Sequence, residues 1–429
     1  MRVLAVTNLY PPHHVGGYEI ACRGVMERFH RAGHEVMVLT AGTRVPGVAD
    51  DARPETVTVR RRLDGWWDWE RFAPARPGLL RRVAVERTNQ RAVLDAVRDF
   101  RPDVASIWNL GYVSYAIATR LEELGVPIVV NLGDDWICYA HEFDAWTTMF
   151  ERRPWARPAG AALGLRTRLP RFDTATVTMA SALIADRVDA RCPWRFGRRA
   201  LVPLGVETWD FPVTVPADRP WSWRLLYVGR ILPIKGVHTL VRALALLPPE
   251  ARLEIDGHGP DHEVQALRAL AEEVGVGARL RITRSRRGEL RDRYRSADVV
   301  VFPSEWEEPF GIVPLEAMAC GVPLVASGTG GSGEFLADGV NCVLFRPGDP
   351  GTLAAALHRI ADDPALRRRV VLGGTDTAGH MTMDECARRL AVLHAEAAAG
   401  AGGPAPQTAA RDTPRPEARP LVPPIGPSR

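Results

Sequence analysis

The sequence predicts an α/β protein of two lobes, each built around a doubly wound parallel sheet. Short apolar runs alternate with segments of helical periodicity, which is the order expected when helices cover both faces of such a sheet. This alternation stops at a polar, proline-rich stretch that ends at Pro220, and it begins again directly afterwards. A length of 429 residues also fits two domains with additional segments.

The first lobe, residues 1–206, is expected to begin with a strand, a loop and a helix. The loop contains Pro11, Pro12, Gly16 and Gly17. The predicted strands of this lobe cover residues 3–7, 35–40, 104–108 and 127–131, and its predicted helices cover residues 18–32, 89–99 and 116–124. The last strand is a short β-branched run, which is typical of a strand buried in a parallel sheet.

The second lobe is expected over residues 220–375. Its predicted strands cover residues 224–228, 252–256, 279–283, 298–302, 323–326 and 342–345. Apolar residues then recur at helical spacing over residues 383–398, which predicts one amphipathic helix. Residues 400–429 contain eight prolines and little that would form a core, so a disordered tail is expected there.

Composition and charge exclude several classes of protein. Apolar residues make up 46% and charged residues 25%, as in ordinary globular proteins. A net charge of +4 is small for this length and does not suggest a nucleic-acid binder. The six cysteines are scattered without a Cys-x-x-Cys pair, which argues against a disulfide framework or a zinc site. The N-terminal apolar run is too short for a signal peptide, no run is long enough to span a bilayer, and we expect a cytoplasmic protein.

Two carboxylates separated by seven residues are the strongest chemical signal. Glu308 is expected on the loop after a strand, and Glu316 in the first turn of the helix that follows. Ligands of open α/β sheets bind beyond the carboxyl ends of the strands, and two carboxylates there accept hydrogen bonds from vicinal hydroxyls of sugars or ribose. The alternative is a helix N-terminal acid favoured by the macrodipole, beside an exposed loop acid.

A second signal is a pair of cations in the loop between a strand and a helix. Arg230 and Lys235 lie between Gly229 and Gly236. A diphosphate bound in this loop would meet both cations and the positive end of the following helix. The alternative is a pair of ordinary solvated side chains.

In their order along the chain, these motifs resemble those of the family 4 retaining glycosyltransferases of the GT-B fold, and the similarity spans most of residues 1–372. The matching segments are Tyr10-Pro11-Pro12 with Gly16-Gly17, Val202-Pro203-Leu204-Gly205-Val206-Glu207, Tyr227-Val228-Gly229-Arg230 with Lys235-Gly236, Asp256-Gly257-His258-Gly259, Phe302-Pro303-Ser304-Glu305-Trp306-Glu307-Glu308-Pro309-Phe310-Gly311 with Glu316, Val325-Ala326-Ser327, and Gly330-Gly331 with Glu334. Each segment alone is weak evidence, whereas the ordered set is specific.

The resemblance implies two Rossmann-like lobes that face a central cleft, with the acceptor on residues 1–206 and a nucleotide-diphosphate sugar on residues 220–375. The helix over residues 383–398 would cross back to the first lobe. The implied reaction is a retaining transfer in which the departing phosphate takes the acceptor proton. It requires no metal and no cofactor besides the donor, since no Asp-x-Asp follows a strand.

The resemblance also assigns roles to individual residues. Arg230 and Lys235 would hold the donor diphosphate and provide the main catalytic stabilisation, because negative charge grows on the departing phosphate. Glu308 would lie near the hydroxyls of the donor sugar and Glu316 at the ribose. Main-chain amides are implied as further donor or acceptor contacts at Gly16, Gly17, Phe310, Gly311 and Ile312.

One position departs from the family's pattern. After the strand over residues 127–131, Gly133 stands where the family commonly has a histidine beside the donor sugar. Asp134 or Asp135 would then orient the acceptor hydroxyl. The candidates to replace the missing imidazole are His13, His14 and His141.

Two segments of the first lobe combine basic and aromatic residues. One contains Arg60–Arg62, Trp66, Trp67, Trp69, Arg71, Phe72, Arg76, Arg81 and Arg82, and the other contains Arg152, Arg153, Trp155, Arg157, Arg166, Arg168 and Arg171. One interpretation is that these segments bind the acceptor, which would be anionic, a carbohydrate or lipid-linked, or that they bind an anionic membrane surface. The other interpretation is that they are variable insertions whose tryptophans pack against the lobe.

Three functions remain open on the sequence. The leading hypothesis is an active transferase, and the alternatives are a GT-B sugar-nucleotide epimerase and a silent binding subunit that lost its chemistry with the histidine. The residues leave the base, the sugar, the acceptor and the oligomeric state open. The stretch Arg284-Ser285-Arg286-Arg287 either lies near the nucleotide or is a solvated loop.

Overall fold

The computed structural model describes residues 1–45, 56–68, 73–75, 77–214 and 220–400. The described chain divides into two compact units. The first consists of residues 1–178 and 187–200 together with those from 391 onward, and the second consists of residues 179–186 and 201–390. A sheet of parallel strands lies in each unit, so the predicted α/β class with two sheets is confirmed.

The first sheet contains seven strands in the order β3-β2-β1-β6-β7-β8-β9. They are β1 (Arg2–Thr7), β2 (Glu35–Ala41), β3 (Thr58–Leu63), β6 (Val104–Asn109), β7 (Ile128–Leu132), β8 (Thr176–Met179) and β9 (Arg198–Leu201), and a two-stranded ribbon adds β4 (Trp67–Asp68) and β5 (Ala73–Pro74). The pairings from β3 through β7 are parallel. The residues of central β1 from Val3 to Val6 are apolar and fully buried, as expected of a strand whose two faces are both covered.

The helices of this part of the chain follow the strands. They are α1 (Gly17–Arg31), α2 (Leu79–Phe100), α3 (Ala116–Glu123), α4 (Trp136–Tyr139), α5 (Thr147–Arg152), α6 (Arg157–Ala162) and α7 (Ala182–Arg191). Helix α2 begins ten residues before the predicted start at residue 89. Its early turns expose Leu79 and Leu80, so the apolar periodicity used for the prediction is weak there.

The second sheet contains six strands in the order β12-β11-β10-β13-β14-β15, and every neighbouring pair is parallel. The strands are β10 (Arg224–Val228), β11 (Arg252–Asp256), β12 (Leu280–Thr283), β13 (Val299–Phe302), β14 (Leu324–Ala326) and β15 (Val343–Leu344). The helices are α8 (Val237–Leu244), α9 (Asp261–Glu273), α10 (Arg287–Ser296), α11 (Ile312–Ala319), α12 (Pro350–Asp362) and α13 (Pro364–His380).

The final helix is α14 (Met383–Ala398), with the bounds that its periodicity predicts. Its residues from 391 onward group with the first unit. There the buried His394 lies with its Nε2 2.8 Å from Ser106 Oγ, and its ring meets the edge of Phe29. Within the described ranges, no helix is long and apolar enough to cross a membrane. Part of the predicted connection (215–219) and the tail (401–429) lie outside the described residues.

Candidate functional site

Two loops meet where neighbouring strands β10 and β13 end. The loop before α8 is joined to the loop after β13 because the amides of Glu305 and Trp306 both donate to the carbonyl of Ile234, at 3.0 Å. Gly236 permits this contact: its φ is +66°, and a Cβ there would lie 1.9 Å from the carbonyl oxygen of Pro303. Since both strands are parallel neighbours, the two loops lie at the same edge of the sheet.

This arrangement brings two of the predicted site residues into direct contact. Lys235 Nζ lies 2.5 Å from Glu308 Oε1, although 73 residues separate them in the chain. Ser304 Oγ donates to the same carboxylate oxygen at 2.7 Å. Glu308 is 6% exposed, so water screens this ion pair weakly. Lys235 and Glu308 therefore form one buried, charged site in the second unit.

Arg230 lies in the same loop as Lys235 and is half-buried. Its carbonyl accepts a hydrogen bond of 2.6 Å from the hydroxyl of buried Tyr227. Burial and the charge of Glu308 raise the pKa of Tyr227, and the charge of Arg230 opposes this rise. The charges of Glu308 and Arg230 therefore both act on the Tyr227 hydroxyl. Among the described residues, no carboxylate forms a salt bridge with Arg230, which leaves its guanidinium available for an anion.

The positive potential extends beyond Arg230. Burial lowers the pKa of His258, and the charges of Arg284 and Arg230 lower it further. His258 is therefore neutral at pH 7, and the net charge beside it is positive. Arg284, from the arginine-rich stretch, contributes to the positive field around this loop.

The Glu308 loop is held by the late glycine loop. The amide of Gly331 donates to the carbonyl of Glu308 at 2.7 Å, and a Cβ on Gly331 would lie 2.2 Å from the carbonyl oxygen of Pro309. Phe310 is buried, and Gly311 forms the N-cap of α11 with Ile312 as the first helical residue. The predicted main-chain donors thus stand at the start of a helix directly after Glu308.

Glu316 belongs to a second polar network. Its carboxylate accepts from Tyr294 OH at 2.8 Å and from Arg287 Nη1 at 3.1 Å, and Arg287 Nε also donates to Asp210 at 2.8 Å. The prediction that Glu316 lies in the first helical turn is wrong. Helix α11 begins at Ile312, so Glu316 is its fifth residue, because the preceding glycine turn leads directly into the helix.

Sequence reasoning missed Tyr294 and Asp210 and left Arg287 undecided. Arg287 and Tyr294 are seven residues apart on α10, a spacing that places both on one face of a helix. That spacing could have indicated from the sequence that Arg287 and Tyr294 act together. Burial and the charge of Glu316 raise the pKa of Tyr294, so its hydroxyl stays protonated and donates to the carboxylate.

In the first unit, the two early glycines lie at the start of α1. Gly16 is the N-cap residue, and its amide donates to Glu19 at 3.1 Å. A Cβ on Gly16 would meet nothing within 4 Å, and Gly17 is exposed. These backbone groups are therefore accessible. Arg61 fixes the loop before them by donating to the carbonyl of Pro11 at 2.7 Å.

The aromatic ring of Tyr18 lies against Gly133. A Cβ on Gly133 would be 2.3 Å from a Tyr18 ring carbon, so the ring lies where a larger side chain at this position would need to begin. The Tyr18 hydroxyl donates to the main chain at Trp108 and Asn131. Burial and the charge of Asp134 raise its pKa. No local pattern in the sequence predicts this contact.

The two aspartates after β7 have different surroundings. Asp135 is buried and forms salt bridges with Arg187 at 3.5 Å and Arg191 at 2.8 Å. Burial, followed by the charge of Asp135, raises the pKa of Asp134 to about 7. Asp134 is only partly buried and accepts one hydrogen bond from the Trp136 amide. Of the two, Asp134 has the free oxygen and the pKa that suit contact with an acceptor hydroxyl.

The three candidate histidines have different surroundings. The ring of His141 packs edge-on against Trp194 and Tyr115, at centroid distances of 5.2 and 6.3 Å. His13 is buried and His14 half-buried in the glycine loop. Because Tyr18 lies against Gly133, none of the three imidazoles is needed to fill that space.

The basic and aromatic segments divide between the two interpretations. Trp66 is 1% exposed and packs in a core cluster with Val85, Trp146 and Phe150, whereas Trp155 is 78% exposed. Part of the first segment, Trp69, Arg71, Phe72 and Arg76, lies outside the described residues. The packing interpretation therefore holds for Trp66 and does not hold for Trp155.

Comparisons with known proteins agree with this architecture. Residues 219–375 match the family model for glycosyl transferases group 1. The chain is 27% identical to an uncharacterized glycosyltransferase of Methanocaldococcus jannaschii, over 86% of this chain and 92% of that protein. A D-inositol 3-phosphate glycosyltransferase of Xylanimonas cellulosilytica is 36% identical, over 46% of this chain and 51% of its own length.

A solved structure matches over nearly the whole described chain. HepE of Anabaena in complex with UDP is 19% identical and gives a TM-score of 0.68, over 92% of this chain and 100% of that chain. The same protein was also solved with UDP-glucose. At this identity the likeness shows the fold, which is GT-B.

Proposed function

We propose, from the premise that residues 219–375 belong to the group 1 glycosyltransferase family, that this protein moves a sugar from a nucleotide-diphosphate sugar to an acceptor hydroxyl with retention of configuration. One observation carries the proposal: the ammonium of Lys235 lies 2.5 Å from the Glu308 carboxylate, and the guanidinium of Arg230 lies in the same loop. A half-buried cation beside a buried acid fits a ligand that combines a diphosphate with hydroxyl groups.

The donor is a nucleoside diphosphate sugar on this proposal. Support comes from HepE, which was solved with UDP and with UDP-glucose. In this chain Arg230 lacks a carboxylate partner among the described residues, and it would form directional hydrogen bonds to the diphosphate. Lys235 would provide a mobile point charge, because its ammonium can turn from Glu308 toward a phosphate oxygen.

The cations also stabilise the departing group. When the anomeric C–O bond breaks, negative charge grows on the leaving phosphate, and the sugar becomes similar to an oxocarbenium ion. Once both cations contact the phosphate, their positive charges in a weakly screened site stabilise the growing negative charge. The acceptor oxygen attacks the same face of the sugar, and its proton passes to a leaving phosphate oxygen. This scheme uses no metal ion.

The acids hold hydroxyls. Glu308 already accepts from Ser304, and one of its oxygens would accept from the donor sugar. Glu316 is fixed by Tyr294 and Arg287, which makes it a rigid acceptor for the ribose. The amides at Phe310, Gly311 and Ile312 would contact the donor at the start of α11.

Asp134 would orient the acceptor hydroxyl in the first unit. Its pKa is raised by burial and by the charge of Asp135, which together outweigh the opposing charge of Arg187. The backbone at Gly16 and Gly17 is accessible and would contact phosphate or acceptor groups. The acceptor is a small molecule, a glycan or a lipid-linked sugar on this proposal.

We also propose that the protein works in the cytoplasm, at the inner face of an anionic membrane. Residues 152–171 contain six arginines and no acidic residue, and Trp155 stands 78% exposed among them. Arginine attracts anionic headgroups, and an exposed indole is well suited to the membrane interface. Flotation of the protein with phosphatidylglycerol vesicles tests this contact, with Trp155→Ala expected to weaken it and neutral vesicles expected to recover little protein.

Two measurements test the proposed reaction. A thermal-shift screen with UDP, GDP, ADP and dTDP identifies the nucleotide, because preferential binding stabilises the native state. Mass spectrometry of donor turnover with and without acceptors then separates the functions. Transfer requires both substrates, a sugar-nucleotide epimerase converts the donor alone, and a silent subunit binds the nucleotide without turnover.

A further inference from the structure

The first unit contains a cavity of about 310 Å³ that no proposed donor contact uses. It lies beyond the carboxyl ends of β1, β2 and β6. Its lining includes three aromatic and two charged side chains: Trp66, Trp67, Tyr112, Asp64 and Arg81. Cavities at this edge of a parallel sheet are the usual ligand sites of such folds.

The aromatic wall is rigidly built. The rings of Trp67 and Tyr112 pack with their centroids 3.9 Å apart. Tyr112 has a φ of +68°, which is costly for a residue other than glycine, and its carbonyl accepts from the Trp66 amide at 2.6 Å. Gly65 makes room for that carbonyl, since a Cβ there would lie 2.5 Å from its oxygen. Strain of this kind is maintained where the position of a side chain has a function.

An indole N–H at the cavity has no acceptor. Trp66 is 1% exposed, and its Nε1 forms no hydrogen bond to any residue that the structure describes. A buried donor without a partner is costly and rare in native structures. The nitrogen is itself buried, so an oxygen atom of a bound ligand would reach it only when the indole turns toward the cavity. A ligand with hydroxyl or ether oxygens would satisfy the N–H in that position.

The charges of the lining cancel. Asp64 Oδ2 lies 2.6 Å from Arg81 Nη2, and these are the two charged residues that line the cavity. Buried Asn89 fixes the segment, since its side chain bonds both the amide and the carbonyl of Asp64. The cavity therefore presents no unbalanced charge, which disfavours a phosphorylated or carboxylated ligand relative to a neutral one.

We propose that this cavity binds a neutral sugar ring of the acceptor, stacked on Trp67 and Tyr112 and hydrogen-bonded to the indole of Trp66. The inference rests on the proposed glycosyl transfer and specifies its acceptor. An engineered apolar cavity of about 150 Å³ holds benzene, so 310 Å³ has room for a six-membered ring with its substituents. Aromatic faces pack on the C–H faces of such rings, and the hydroxyls occupy polar atoms around them.

The position of the cavity relative to Asp134 supports this assignment. Burial and the charge of Asp134 raise the pKa of Tyr112 to about 12, so its hydroxyl is protonated at neutral pH and lies within the field of that carboxylate. A sugar against Tyr112 would place a hydroxyl near Asp134. The acceptor would thus differ in charge from the D-inositol 3-phosphate that the name of one relative includes.

The test measures binding of simple glycosides by saturation-transfer NMR and tryptophan fluorescence. The probes are the methyl glycosides of glucose, mannose and galactose, with glucose 6-phosphate as the charged comparison. We expect at least one neutral glycoside to bind the wild type, a tenfold or greater loss of affinity in Trp67→Ala, and a several-fold loss in Trp66→Phe, which keeps a ring but removes the N–H. Trp221→Phe, which removes an indole in the second unit, should bind normally.

The proposal is overturned if no neutral glycoside binds, if Trp67→Ala binds as well as the wild type, or if glucose 6-phosphate binds more tightly than glucose. Trp67→Leu replaces the alanine variant if the latter does not fold. A UDP thermal shift on the same samples separates the two claims. If the protein binds nucleotide but no glycoside, the proposed donor site is retained and the proposed acceptor cavity is rejected. If it binds a glycoside but no nucleotide, only the proposed donor site is rejected.

Discussion

The ring of Tyr18 lies against Gly133 at a distance that no side chain on residue 133 would tolerate. A Cβ at Gly133 would lie 2.3 Å from one ring carbon and 2.5 Å from another. The tyrosine hydroxyl is held by main-chain carbonyls on two neighbouring strands, at Trp108 and Asn131. The glycine and the tyrosine are therefore coupled: the Tyr18 ring occupies the space that a side chain on residue 133 would need.

The first prediction concerns this contact. Gly133→His should destabilise the fold by about 1–3 kcal/mol, because the added side chain must displace a ring that is anchored by its hydroxyl. Thermal or urea unfolding of the variant measures the loss. Combining it with Tyr18→Ala should recover most of the stability, since the ring is then absent. If the single variant is as stable as the wild type, the ring does not occupy that space in solution.

The second prediction separates binding from turnover at Glu308. Glu308→Gln keeps the size of the side chain and the contact with Ser304 but removes the charge that pairs with Lys235. The ammonium is then free for a phosphate, so affinity for UDP should be unchanged or higher. Turnover should fall about 10²-fold, because a neutral amide oxygen replaces the charged acceptor of the donor sugar's hydroxyl. Calorimetry with UDP and initial rates measure the two effects. A weaker UDP affinity with normal turnover would contradict the proposed roles.

The third prediction concerns pH and Asp134. Its pKa is raised to about 7, so the carboxylate that would accept from the acceptor hydroxyl forms only as the pH rises through that value. Activity toward the acceptor should therefore rise between about pH 6 and 8. Asp134→Asn should remove this rise and lower the plateau. An unchanged pH profile in Asp134→Asn would exclude the assignment.

The fourth prediction concerns Glu86, a buried acid that is distant in sequence from the candidate site residues. Glu86 is fully buried on α2, and burial, with the charge of Asp144, raises its pKa from 4.5 to about 8. The folded state therefore binds an extra proton between these values, and stability falls as the pH rises from about 4.5 to 8. Glu86→Gln should reduce this fall.

Unfolding temperatures at pH 5, 6.5 and 8 test the prediction. The advantage of Glu86→Gln over the wild type should grow across this range and level off above it. Exposed Glu151→Gln is the matched control and should follow the wild type at every pH. A constant difference between Glu86→Gln and the wild type would show that the carboxyl does not titrate in this window.

The sequence was sufficient to predict a strand or helix where the local pattern of residues agrees with the tertiary structure. The bounds of β10, β11 and α14 follow from apolar periodicity and are confirmed. Strand β3 was not predicted, because its run Thr-Val-Arg-Arg-Arg-Leu is half polar, and it forms by pairing with β2 at the edge of the sheet. Pairing across the sheet cannot be read from a single segment.

The candidate site shows the same limit. The types of residue at Arg230, Lys235 and Glu308 were sufficient to nominate a charged site, and the parallel order of strands brings Lys235 and Glu308 together. The partners of Glu316, by contrast, come from another helix and from a connecting segment, and the Tyr18 ring reaches Gly133 across 115 positions of the chain. Such contacts depend on how loops pack, which side-chain identity does not encode locally.

The central claim is that Arg230 and Lys235 stabilise a departing diphosphate, and the turnover of Arg230→Ala tests it most directly. The account predicts a loss on the order of 2–4 kcal/mol in activation free energy, roughly a 30-fold to 10³-fold loss in kcat, with the fold intact. Arg268→Ala, which removes an exposed arginine of α9, should react like the wild type. If Arg230→Ala turns over within a few-fold of the wild type, the assignment is wrong.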